Sequence, residues 1–153
     1  MAPRIQHPAF LLPGANDALQ ALGAVVADGG VDESTIALVL MRASQINGCA
    51  VCLDGHIQSA RKNGESDERL GTLLAWRDTP YFTEAERAAL ALTEAMTRQA
   101  DRPDPVPDEL WAQVASHYDE KQLATLVLAI ANINVWNRLN VATAQQAGVW
   151  KPE

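Results

Sequence analysis

The sequence predicts an all-α fold, a bundle of six or seven helices with a Cys-x-x-Cys pair at the start of one of them. Apolar residues recur at three- and four-residue spacing along most of the chain, the period of helices that bury one face. Strand-like alternation is rare, and neither an internal repeat nor a glycine-rich phosphate loop breaks the pattern. Helix-start and helix-stop residues fall between the apolar runs, where separate helices need them. At 153 residues the chain is expected to form a single domain, residues 1–153, able to bury a core without structural disulfides.

Residues 1–13 carry three prolines and little periodicity, and read as an irregular arm. From about Asn16, the spacing of Leu19, Leu22, Val25 and Val26 predicts a helix that Gly29-Gly30 ends. A second is expected after Asp32, through Ile36, Leu38, Val39, Leu40 and Met41 towards Ile46. Its Arg42 is expected to point to solvent or to pair with a surface acid. Asn47 and Gly48 read as the entry to a third helix, which stops at Asn63-Gly64 with Arg61 and Lys62 suiting the dipole in its last turn.

Ser66-Asp67-Glu68 opens a short helix with Leu70, Leu73, Leu74 and Trp76 on its apolar side, and Asp78-Thr79-Pro80 breaks it. Trp76, Tyr81 and Phe82 are expected to gather at a corner of the core. Thr83 and Glu86 have the capping-box spacing ahead of Ala88, Leu90, Ala91, Leu92 and Ala95. RQADRPDPVP, residues 98–107, is a connector within the domain. Pro107-Asp108-Glu109 then begins a short helix through Leu110, Trp111 and Val114, with His117 read as a structural residue near its end.

The longest pattern runs from Asp119 to about Ala147. Leu123, Leu126, Val127, Leu128, Ile130, Ile133 and Val135 make its first half apolar on nearly every side, which predicts burial all round and hence a subunit interface. Asn132, Asn134, Asn137, Arg138 and Asn140 interrupt that face. Buried amides must be hydrogen-bonded, so these are expected to tie helices or subunits together.

Composition narrows the function. Hydrophobic residues at 48% with 20% charged describe a globular domain. A net charge of −7 with scattered Lys and Arg argues against nucleic acid. No run approaches a membrane span, and the N-terminus lacks the apolar segment of a signal peptide, so a cytoplasmic location is the default expectation. In that compartment a Cys-x-x-Cys pair is more often catalytic than structural.

Both cysteines lie in SQINGCAVCLDGH, residues 44–56. On a helix Cys49, Cys52 and His56 share one face, a dithiol beside a base. A thiolate forms more readily near a helix N-terminus or an imidazolium, and two cysteines in one turn can close a disulfide. Three plainer readings stand beside this one: a zinc site, two buried structural thiols, or a core histidine with no chemical role. Zinc needs about four ligands, and beyond this cluster the only other histidines are His7 and His117.

At these residues the chain resembles the carboxymuconolactone decarboxylase superfamily, specifically its alkylhydroperoxidase D-like branch. The likeness rests on Cys-x-x-Cys-x-x-x-His, the preceding RASQINGC and the following ARKNGESDERL. It extends through ERAALALTEAMT and NVWNRLNVA, from about Ile5 to Ala147. The resemblance implies the same helical fold, a homo-oligomer, no cofactor, and a thiol-dependent peroxidase restored by a dithiol reductant of unknown identity. Cys52 would attack the hydroperoxide with His56 as base, and Cys49 would resolve the sulfenic acid as a disulfide. The family's relay includes a glutamate twelve residues before the first cysteine, where this chain has Ala37. Glu86 is the candidate replacement, with Glu94 a weaker one. A redox switch or chaperone-like thiol protein is the alternative, and a lactone decarboxylase, which uses no cysteine pair, is a more distant one.

Overall fold

The computed structural model describes residues 2–148. Among them every regular element is helical: α1 (Pro8–Leu11), α2 (Ala15–Ala27), α3 (Glu33–Asn47), α4 (Ala50–Lys62), α5 (Asp67–Thr72), α6 (Glu84–Thr97), α7 (Asp108–Ala115) and α8 (Glu120–Ala142). A 3-10 segment, Leu73–Asp78, follows α5, and a single 3-10 turn, Gln99–Asp101, follows α6. The seven expected helices are present, and the eighth, α1, lies in the arm read as irregular. There His7 Nδ1 accepts the Ala9 N–H at 3.1 Å, and Pro8 fills the first helical position, where its missing N–H costs nothing. The last helix ends at Ala142 rather than near Ala147: Ala144 turns left-handed at φ 55°, and the Gln145 N–H closes on Asn140 O at 3.0 Å.

The central helix is α3, which packs against α4, α6 and α8. One core cluster joins Val39 of α3 to Ala88, Ala89 and Leu92 of α6, Val114 of α7, and Leu126 and Ile130 of α8. A second joins Leu38 and Met41 of α3 to Leu73, Trp76, Phe82 and Leu90. Trp76 and Phe82 thus form the expected core corner, whereas Tyr81 is 45% exposed. At the end of α2 a Cβ on Gly29 would collide with the Thr125 side chain; glycine lets α2 close onto α8, where Thr125 Oγ1 donates to Gly29 O at 3.2 Å.

The expectation for Arg42 is corrected. It is only 6% exposed, and its Nε donates to Glu94 Oε1 at 2.8 Å. Glu94 also accepts from Trp76 Nε1 at 3.0 Å and Arg77 Nη1 at 2.8 Å. This carboxylate therefore fastens α3, α6 and the 3-10 segment together. The apolar neighbours of Arg42 signalled a buried face, but its partner lies 52 residues away in sequence, beyond what local pattern reveals. On α8 the single chain leaves part of the apolar surface uncovered: Leu128 and Val135 are 38% and 41% exposed, on the flank away from α2, α3, α4, α6 and α7.

Burial opposes ionisation of Glu94, but the donors from Trp76, Arg77 and Arg42 outweigh it and hold the carboxyl below its ordinary range. A depressed folded-state pKa stabilises fully above the unfolded value and loses that contribution as pH falls through the folded one. Replacing Glu94 by Gln leaves the Arg42 guanidinium buried without a counter-charge and is expected to cost about 3 kcal/mol at neutral pH. Urea titration should show a lower midpoint at an unchanged m-value, and the deficit should shrink as pH drops below the usual carboxylate range.

Candidate active site

The site is built on the corner between α3 and α4. Asn47 and Gly48 do not open the cysteine helix, as the sequence suggested; they close the one before it. Gly48 lies at φ 67°, a left-handed C-cap, where a side chain would cost about 1 kcal/mol. Cys49 is then itself the N-cap of α4 and accepts the Cys52 N–H on Sγ at 3.3 Å. Cys52 falls in the first turn, where the helix dipole favours a thiolate. The two cysteines are joined as a disulfide with Cα atoms 5.4 Å apart. They are 1% and 8% exposed and pack with Ala43, Leu40, Ile133 and Trp136.

His56 follows Cys52 by one turn of α4, so the expected order along one helix is met. Its ring is half-buried and lines a cavity of ≈ 500 Å³ together with Ala37, Leu40, Ser59 and Arg69. Leu40 touches both this cavity and the cysteine cluster. Burial lowers the His56 pKa from its ordinary 6.5, which leaves a neutral imidazole able to accept a proton at pH 7.

The carboxylates stand elsewhere. Glu86 completes the capping box with Thr83, accepting its N–H at 2.8 Å, and is held by the guanidinium of Arg69. Arg69 lines the same cavity as His56, so Glu86 stands behind that arginine and forms no hydrogen bond to the imidazole. Burial works against its charge, yet Arg69 and Thr83 together keep its carboxyl below the usual range. Glu94 is committed to Arg42, Trp76 and Arg77. Ala37 faces the cavity, where its methyl group offers no proton acceptor.

An asparagine row on α8 holds the corner in place. Asn47 Nδ2 donates to Asn134 Oδ1 at 2.9 Å and Asn137 Oδ1 at 2.8 Å, and Asn137 Nδ2 donates to Ser44 Oγ at 3.0 Å. Asn140 reaches the sulfur itself, its Nδ2 lying 3.4 Å from Cys52 Sγ. Sequence reasoning assigned this residue only a tie between helices. The available signal was the three-residue spacing of Asn134, Asn137 and Asn140, which sets three amides in one row. Among the described residues no group of three or more His, Cys, Asp and Glu is arranged to hold a metal ion.

A helical bundle that sets Cys-x-x-Cys at a helix start, with histidine one turn on, defines a class of dithiol proteins. The sequence pattern of the carboxymuconolactone decarboxylase family matches residues 13–95, more than half of the chain, and the chain belongs to that family, in its AhpD-like branch. An uncharacterized protein of Bacillus subtilis, YdfG, is 43% identical over 117 residues, covering 76% of this chain and 78% of its own. The alkyl hydroperoxide reductase AhpD of Bradyrhizobium diazoefficiens is 38% identical over 50 residues, 33% of this chain and 28% of its own. A crystal structure from Agrobacterium tumefaciens, of a protein of unknown function proposed as an AhpD of antioxidant defence, superposes with a TM-score of 0.89. It is 34% identical and covers 97% of this chain and 100% of its own.

Because burial lowers the His56 pKa, this residue contributes stability that is complete above the unfolded value of about 6.5. The contribution declines as pH falls through the folded value. NMR titration of the disulfide form should place His56 below 6.5, and His56→Gln should flatten the loss of stability between neutral and mildly acidic pH.

Proposed function

We propose that this protein is a thiol-dependent peroxidase that reduces hydroperoxides through Cys52, with His56 as proton acceptor and Cys49 as resolving thiol. The observation that carries the reading is the pairing of Cys49 and Cys52 across the first turn of α4, one helical turn before a neutral imidazole. In the reduced state His56 takes the Cys52 proton, and the helix N-terminus favours the thiolate left behind. The sulfur attacks the terminal oxygen of R–O–OH: an S–O bond forms, the O–O bond breaks, and the sulfur is oxidised to sulfenic acid. The alkoxide takes the proton held on His56 and departs as alcohol. Cys49 attacks the sulfenic sulfur, an S–S bond forms, and the oxygen leaves as water. A dithiol reductant restores the pair by exchange.

A peroxide entering by the cavity beside His56 must pass Leu40, which lies against both the cavity and the sulfurs. Glu86 serves this site by anchoring Arg69 rather than by polarising His56, since its oxygens are taken by Arg69 and Thr83. The outward flank of α8, with Leu128 and Val135, is the surface for self-association. Cytoplasmic thiol reductants would supply the electrons. One observation favours the alternative of a redox switch: Glu86 and Glu94 are both committed to arginines and neither orients His56, which limits the base, while the disulfide closes without it.

Single-turnover assays separate these readings. Reduced wild type and Cys49→Ser should each consume about one equivalent of peroxide, with the sulfenic acid trapped on Cys52 in the variant, and Cys52→Ser should consume none. A switch would form its disulfide with a thiol oxidant and turn over no peroxide. Glu86→Gln should keep the peroxide rate within about twofold while losing about 1–2 kcal/mol of stability to urea. A large loss of rate at full stability would return Glu86 to the proton relay.

A further inference from the structure

The N-terminal arm carries a second histidine towards the sulfurs. Arg4 N–H bonds to Thr143 O at 2.9 Å, its Nη1 bonds to Ala142 O at 2.9 Å, and Gln145 Nε2 bonds to Ile5 O at 3.0 Å. These contacts fix the arm along the end of α8 and set the His7 ring against Trp136, centroids 5.7 Å apart. Trp136 O in turn accepts from Asn140 Nδ2 at 3.0 Å.

Resting on the peroxidase reading above, we infer that Asn140 is a further catalytic residue that stabilises the Cys52 thiolate through its amide N–H, and that His7 is the positioning residue that aims it. The directions follow from donor and acceptor capacity. His7 Nδ1 accepts the Ala9 N–H, so its proton sits on Nε2. Asn140 spends Nδ2 on Trp136 O and Cys52 Sγ, which leaves Oδ1 for the imidazole N–H. The proposed bond runs from His7 Nε2–H to Asn140 Oδ1, and burial keeps His7 neutral by outweighing the pull of Asn140 towards the charged form. Hydrogen bonding to a charged form favours it, so an amide aimed at sulfur lowers the thiol pKa. It also eases departure of the Cys52 thiolate when a reductant opens the disulfide.

Of the titratable groups, Cys49 is bonded to Cys52, His56 stands one turn further along the same helix, and His7 lies on the arm against Trp136. From α3 and α8 the neighbours are the uncharged Leu40, Ala43, Ile133, Trp136 and Asn140. The two histidines therefore divide the work: His56 receives the proton, and His7 acts on the anion through Asn140.

The test is the pH profile of iodoacetamide alkylation of Cys52 in a Cys49→Ser background, which needs no peroxide. Asn140→Ala should move the profile up by about one unit, about a tenfold loss of thiolate at neutral pH. Asn140→Asp, nearly isosteric and anionic, should move it further, and it carries the test if the alanine variant fails to fold. His7→Asn keeps an acceptor for the Ala9 N–H but cannot reach Asn140, so it should shift the profile in the same direction. His7→Gln, whose amide nitrogen extends to the position of Nε2, should restore it. An unmoved profile in Asn140→Asp overturns the proposal, and a His7→Asn profile matching the parent overturns the part given to His7. Peroxide consumption by reduced wild type is read separately: its absence sinks the peroxidase while the thiol profile still decides the role of Asn140.

Discussion

The site depends on a corner in which one helix must end and the next begin within two residues. Gly48 makes that possible by turning left-handed at φ 67°, a conformation in which a β-carbon crowds the following carbonyl. The reversal sets Cys49 at the cap and Cys52 in the first turn. Neither sulfur would lie near a helix N-terminus if the chain continued straight on from Asn47. The corner is also anchored, since Asn47 reaches Asn134 and Asn137 of α8, and Asn137 reaches back to Ser44. These bonds, on the α3 side of the glycine, hold the corner against the buried face of α8, and beyond it Asn140 meets Cys52.

Charge is distributed to leave this corner uncharged. The acids Glu86 and Glu94 are each matched to arginines, Arg69 for the first and Arg42 with Arg77 for the second. Two buried carboxylates left unpaired would be costly; paired, they fix α6 against α3, α5 and the segment after α5. The consequence for chemistry is that His56 lies beside a cavity bounded by Ala37 and Leu40, and neither acid is free to orient it. What reaches the sulfur is a neutral amide, and a neutral donor stabilises a thiolate without offering a competing acid.

Much of the fold was legible because helices are encoded locally. The apolar spacing of Leu19 to Val26, the capping box of Thr83 and Glu86, and the proline-rich connector before α7 each state their structure within a few residues. The errors share one cause. Pro8 and His7 make a turn of helix too short for periodicity to register. Arg42 looked like a surface residue because Glu94 is 52 positions away. Asn47 and Gly48 suit a helix end as well as a helix start, and only the backbone path decides between them.

The sequence by itself determined the class of fold, through the apolar spacing of successive helices, and set two cysteines three residues apart with a histidine one turn beyond the second, because these follow from local helical pitch. Tertiary structure alone decided which side chains surround them. That Glu86 answers to Arg69, that Glu94 answers to Arg42, that Asn140 meets Cys52 and that His7 lies against Trp136 depend on how the elements around α3 are set. Those contacts join residues dozens of positions apart, and the geometry that selects them is a property of packing.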